Sequence, residues 1–139
     1  MTIRRILRAR HRRGDKGALS LFVAVAAASL FLVVAFVYDG SLKLSALNHA
    51  ESAAQEAARA GAQSVNPGRV IAGEGITIDR NAAQAAALAY LKSAGTSGTV
   101  SWSGDSIVVS VTETYSPVLW PSSSTVTGRG SATMIVQGG

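Results

Sequence analysis

The spacing of apolar positions changes twice along the chain, and each change marks a different kind of element. Residues 18–38 contain no charged side chain, and apolar residues fill them apart from Ser20 and Ser29. At about 1.5 Å per residue a helix of this length covers roughly 30 Å, the thickness of a bilayer's hydrocarbon core. Both serines are able to bond back to a helical carbonyl, so neither breaks the span. Residues 41–63 keep the helical period but exchange large side chains for alanine. Leu42, Ala46, Ala50, Ala53, Ala57 and Gly61 recur at steps of four or three and form one stripe. Lys43, Glu51, Gln55, Glu56 and Arg59 lie mostly off it, with Glu51 and Gln55, and Glu56 and Arg59, at helical-neighbour spacing. The pattern predicts one continuous helix over 18–63, stopped by Asn66-Pro67-Gly68.

Residues 64–78 read as a connector, with turns at Pro67, Gly73 and Gly75 and a short strand available at 76–78. A second helix is expected over 82–93, capped by Asp79 or Asn81 and ended by Gly95, with Ala83, Ala86, Ala87, Tyr90 and Leu91 facing inward. The period then falls to two. Strands are expected at 99–103 and 106–115, joined by a hairpin turn at Ser103-Gly104-Asp105, with Ile107, Val109 and Val111 on one face and Val108, Ser110 and Thr112 on the other. An apolar loop, Pro117-Val118-Leu119-Trp120-Pro121, precedes a last strand at 130–137 with Ala132, Met134 and Val136 on one face. The fold class is α+β: a long N-terminal transmembrane helix that continues outward, then a small domain with one helix packed on a three- to four-stranded antiparallel sheet. Three regions follow: a basic leader at 1–17, the long helix at 18–63 with its transmembrane half at 18–38, and a small exported domain at 64–139.

Charge fixes the direction of this arrangement. The net charge of +5 and the pI near 10.2 suggest a nucleic-acid partner only until their distribution is seen. Residues 1–17 hold seven basic side chains (Arg4, Arg5, Arg8, Arg10, Arg12, Arg13 and Lys16) against Asp15, a net of +6. Residues 18–139 hold six basic against seven acidic side chains, a net of −1. Basic flanks stay in the cytoplasm, so the N-terminus is expected inside and everything after Tyr38 outside. The partners this implies for the tail are anionic lipid headgroups or cytoplasmic machinery, not nucleic acid. A buried helix in a soluble core is the competing reading, but 139 residues supply too little other apolar mass to surround it.

Chemistry narrows the function further. There is no cysteine, so the exported part is stabilised by packing or assembly rather than by disulfides. The two histidines, His11 and His49, supply neither a metal site nor a catalytic triad, and no phosphate loop or dinucleotide fingerprint is present. No cofactor, small-molecule substrate or enzymatic activity is inferred. Asp39 and Lys43 stand four apart where the span ends and are expected to pair at the membrane exit. His49 reads as a solvated or partly packed side chain. Trp102, Tyr115 and Trp120 read as core or membrane-facing aromatics, and Trp120, in its proline-bounded loop, is the best candidate for an exposed contact.

At this point the residues resemble a family. The arginine-rich tail, Arg13-Gly14-Asp15-Lys16-Gly17-Ala18 and the apolar helix are similar to the class III signal of type IV pilin-like proteins. Tyr38-Asp39-Gly40 and the block Glu56-Ala57-Ala58-Arg59-Ala60-Gly61-Ala62 resemble more specifically the TadE/TadG-like proteins of the tight-adherence (Flp) pilus system, and the short length suits the TadE-like pseudopilins. The resemblance implies cleavage by a prepilin peptidase between Gly17 and Ala18, and partners among other pilin-like subunits and the pilus assembly machinery. One position departs from it. Counting from Ala18, the family usually has glutamate at the fifth residue, where this chain has Phe22. In pilins that glutamate is thought to neutralise a neighbour's new N-terminal amine.

Two roles for the small-residue stripe stay open on sequence alone: packing on this chain's own outer domain, or packing against helices of other subunits. The function expected is a minor pilin or pseudopilin that helps assemble or prime a pilus by non-covalent contacts, anchored in the bacterial cytoplasmic membrane. The alternative is a single-span anchor for an extracytoplasmic binding module unrelated to pili. A secreted protein is a third reading, with a small-residue cleavage site at Ala26-Ala27-Ala28 and a twin-arginine hint at Arg4-Arg5; the uncharged run that continues past Ala28 argues against it. The charge asymmetry makes a direct prediction. Protease added to intact spheroplasts digests the chain after Gly40 and spares the basic tail; protection of the outer part would reverse the orientation.

Overall fold

The computed structural model describes residues 14–64 and 79–134. Helix α1 spans Gly14–Ala62, 49 residues in one uninterrupted element, which at 1.5 Å per residue is roughly 70 Å long. Helix α2 spans Arg80–Ser93. Strands β1 (Gly98–Ser103), β2 (Ser106–Tyr115) and β3 (Ser124–Thr133) form an antiparallel meander in the order β1-β2-β3. The expected helix stop at Asn66-Pro67-Gly68, the strand at 76–78 and the end of the last strand, with Val136, lie outside the described residues, as does most of the basic leader.

The two halves of α1 live in different surroundings. From Gly17 to Val34 every residue is exposed. No residue of this stretch is buried, and it is apolar and long enough to cross a membrane. Ser20 and Ser29 close onto the helix's own carbonyls, Gly17 O at 3.0 Å and Val25 O at 2.8 Å, as their spacing implied. From Ala50 onward the helix becomes core. Ala50, Ala53, Ala54, Ala57 and Ala58 are buried together with Ala83, Ala87 and Leu91 of α2 and Ile107, Val109 and Val111 of β2.

The sheet's inner face explains why alanine is used. Its rows, read across the strands, are Gly98, Val111 and Gly128, then Val100, Val109 and Gly130, then Trp102, Ile107 and Ala132. The middle strand supplies the branched apolar bulk, and β3 supplies the absence of it. A Cβ built on Gly128 would fall on the backbone of Ala50 and Glu51, and one on Gly130 on the backbone of Ala54 and Gln55. Two residues of strand advance about 6.8 Å and four of helix about 6 Å, so the two glycines meet the helix one turn apart. Helix and strand backbones thus touch without intervening side chains. Gln55 closes the contact from the side: its amide donates to Ser131 O at 3.1 Å and its carbonyl accepts from Ser131 N at 3.3 Å. Most of the inner face is covered by α1, while α2 packs chiefly on α1 and reaches the sheet mainly at β1. Gly61 marks the meeting of all three layers, since a Cβ there would lie 2.6 Å from Ile107 Cδ1 and 2.9 Å from Ala83 O.

The shorter elements follow their local signals. Asp79 caps α2, its Oδ1 accepting from Asn81 N and Ala82 N at 3.1 Å. At the other end Gly95 takes φ 71°, Gly95 N donates to Lys92 O at 3.2 Å and Thr96 N to Leu91 O at 3.0 Å. That pair of bonds is the Schellman closure, which needs a left-handed residue where the glycine stands. The last strand begins at Ser124 rather than near Gly130. Its first half, Ser124-Thr125-Val126-Thr127-Gly128-Arg129, is mostly polar, and Gly128 within it marks a close approach, not a turn. The facing of Ala132 toward the core agrees with the expected alternation.

The backbone-to-backbone contact makes the glycines on β3 costly to replace. Gly128→Ala and Ala57→Leu each lower stability by roughly 1–3 kcal/mol through overpacking, measured by urea unfolding of the detergent-solubilised chain. Gly40→Ala, at a helical position with open space around it, is neutral or stabilising by up to about 1 kcal/mol.

Candidate functional site

The place where bare helix becomes covered helix is the part of the molecule with most to offer a partner. It is built from two segments about eighty positions apart. One is the helical turn that ends the apolar run, Phe36, Val37, Tyr38 and Asp39. The other is the β2–β3 loop. Because β2 ends at Tyr115 and β3 starts opposite it at Ser124, this loop emerges at the edge of the head nearest the apolar half and runs down beside α1.

Asp39 joins the two. Its Oδ1 accepts from Val118 N at 2.6 Å and its Oδ2 from Leu119 N at 2.9 Å. Two successive backbone N–H groups thus hold both oxygens of one carboxylate, a charge-assisted fork of the kind a loop offers an anion. The expected Asp39–Lys43 ion pair does not form. The carboxylate turns to the loop because a fixed pair of amides costs less side-chain entropy than a long, solvated lysine. The rest of the loop is shaped by Pro117 and Pro121, which have no N–H, and by Ser122 N donating to Trp120 O at 2.8 Å. Val118, Leu119 and Trp120 are left facing outward, and Trp120 is 73% exposed.

A second polar cluster lies one step above. Glu113 Oε1 accepts from Thr96 Oγ1 at 2.9 Å and stands 3.3 Å from His49 Nδ1. It ties α1, β2 and the turn after α2 together at the rim of the core, with the His49 ring largely in solvent. On the outer surface Arg59 pairs with Glu56 at 3.0 Å, as the spacing implied, while Gln55 turns to β3 and leaves Glu51.

The sequence-derived positions separate cleanly. Ala50, Ala53 and Ala57 are buried and Gly61 is enclosed, whereas Leu42 and Ala46 are only half-covered. The covering surface is this chain's own sheet and α2, so from Ala50 outward the stripe is not free for helices of another subunit. Gly17 and Ala18 lie exposed in the first turns of α1, and Gly17 has open space around it. Trp120 is exposed as expected, whereas Trp102 is half-buried under the guanidinium of Arg80, 5.2 Å from its ring centre. The Asp39 fork and the Glu113 cluster escaped the sequence reading because each joins residues far apart in the chain. The one signal for the first was an acid beside a span with a proline-bounded apolar loop downstream. Among the described residues no group of histidine, cysteine and carboxylate side chains is arranged to hold a metal. Compared with protein-family models, curated proteins and solved structures, the chain matches none.

The fork has a measurable signature. In Asp39→Ala the amides of Val118 and Leu119 lose protection from hydrogen exchange by about tenfold or more, the equivalent of a hydrogen bond to a charged group. Lys43→Ala leaves both amides unchanged.

Proposed function

We propose that the chain is a minor pilin or pseudopilin of the tight-adherence type. It is held in the bacterial cytoplasmic membrane by residues 18–38, with the basic leader in the cytoplasm and the head outside, and it acts by non-covalent contact rather than by catalysis. The observation that carries this reading is the division of α1. One uninterrupted helix is exposed at every residue from 17 to 34, an apolar stretch, and sealed into a small α+β head in its second half. A water-soluble protein does not leave so large an apolar surface uncovered, whereas lipid or the helices of neighbouring subunits cover it at no cost. Together with the Gly17-Ala18 junction and the Tyr38-Asp39-Gly40 motif, this supports a pilin-like subunit over an unrelated anchor.

The packing of the stripe changes how such a subunit would assemble. With Ala50, Ala53 and Ala57 committed to the head, contacts between subunits fall to residues 18–38 and to the outside of the head. Phe22, in place of the glutamate, leaves the apolar half without a carboxylate to meet a neighbour's amine. A role in priming or assembling the pilus fits this better than a place inside its shaft, since an unpaired amine within the membrane is costly. The Asp39 fork, which ties head to helix, suits the second reading equally: a single-span anchor carrying an extracytoplasmic module.

Processing and neighbours decide between them. The mature chain from native membranes is expected to begin at Ala18, and Gly17→Leu to leave the leader attached. Because the chain has no cysteine, a single cysteine placed at Val33 reports its neighbours, and it should crosslink to another pilin-like subunit. A mature chain that begins at Met1 and forms no such crosslink would establish the anchored module instead.

A further inference from the structure

We propose that the 117–121 loop is a second membrane contact, which enters the interfacial layer of the bilayer beside α1 and lays the head against the lipid surface. The inference rests on the reading of residues 18–38 as a membrane span.

Four observations place lipid there. The loop is fastened by Asp39 to the very turn at which the apolar run ends, so its depth is fixed relative to the span. Its side chains continue the apolar surface of that turn: Phe36 is 72% exposed, Val118 65% and Trp120 73%. Three consecutive large apolar side chains left outward on a loop would be a liability in water, and tryptophan is the residue most at home between hydrocarbon and headgroup. The backbone is prepared for a medium poor in water. Pro117 and Pro121 bring no N–H, those of Val118 and Leu119 are taken by Asp39, and that of Ser122 by Trp120 O, which leaves the N–H of Trp120 to the water and headgroup oxygens of the interfacial layer. Each unpaired N–H would otherwise resist transfer from water. Finally, no lysine, arginine, aspartate or glutamate occurs from Thr114 to Gly128, so nothing charged on the loop opposes entry. The carboxylate of Asp39 beside it is itself covered by two hydrogen bonds.

The consequence is mechanical. A head joined to the membrane by α1 alone is free to tilt with the helix, whereas a head touching lipid at two points has a fixed face toward the membrane and a fixed face away from it. Val118 and Trp120, at 65% and 73% exposure, would enter the lipid more fully than Leu119 at 39%.

The experiment uses the full chain with Trp102→Phe, so that Trp120 is the sole tryptophan, reconstituted into phosphatidylcholine–phosphatidylglycerol vesicles. Flotation with the vesicles tests the span. Quenching of Trp120 by lipids brominated near the glycerol end of the acyl chain, against quenching by aqueous iodide, tests the loop. The expected result is flotation, strong quenching by the shallow bromines, little by iodide, and loss of the bromine quenching in Asp39→Ala. A chain that floats but whose Trp120 is quenched by iodide and not by bromine would overturn the docking while leaving the span intact. Shielding of Trp120 from both quenchers that disappears as protein is diluted in lipid would assign the loop to a second copy of the chain, which also overturns the proposal. Failure to float would overturn the span and the docking together. If Trp102→Phe impairs folding, a cysteine at Val118 carrying an environment-sensitive dye gives the same readout in the native background.

Discussion

Everything in the head depends on how closely α1 approaches β3. Gly128 and Gly130 have no side chain, and Ala50 and Ala54 have only a methyl group, so two backbones lie in direct contact. A close approach of this kind offers little area per residue, and alanine burial is worth far less than leucine burial. Packing density compensates: dispersion falls steeply with distance, and a contact without gaps keeps nearly all of it. The bulk needed to fill the remaining space comes from Ile107, Val109, Val111 and Leu91, the largest fully buried side chains. A three-stranded sheet would be marginal alone, and the helix that covers it makes it stable.

The same contact gives the long helix its function as a connector. Helix hydrogen bonds run without interruption from the apolar half into the core, so motion of the apolar half is transmitted to the head without a hinge. Asp39 adds a tether below the core and Glu113 another at its rim, so the head is fixed to α1 at three heights. Such a molecule holds the outer surface of its head at a set distance and orientation from the apolar half of α1. That property serves an assembly subunit and an anchored module alike, which is why processing at Gly17 rather than the fold separates the two.

Much of this was legible in the order of the residues. The continuous helix, the second helix with its Asp79 cap and Gly95 stop, the hairpin and the inward face of β2 all follow from local periodicity and local caps. What was not legible came from contacts across the chain. The last strand was expected only from Gly130, and nothing local to Gly128 or Gly130 shows that they are clearances, because that depends on Ala50 and Ala54 lying opposite them. The destination of the alanine stripe stayed open for the same reason, since a surface of small residues fits a partner helix and an internal strand equally well. Asp39 had a local partner at the right spacing in Lys43, and the distant loop amides outcompeted it. Local rules rank only the partners that lie within a few residues.

The central claim is that residues 50–61 of α1 belong to the core of the head and do not form an independent helix. Hydrogen exchange of the full chain in lipid nanodiscs tests it directly, by comparing the amides of Ala53, Ala54, Ala57 and Ala58 with those of Val109 and Val111. If helix and sheet are one cooperative unit, all six amides open with the same free energy and shift together when urea is added. Helix amides that exchange orders of magnitude faster than those of β2, and respond to urea on their own, would contradict it and return the stripe to the service of other subunits.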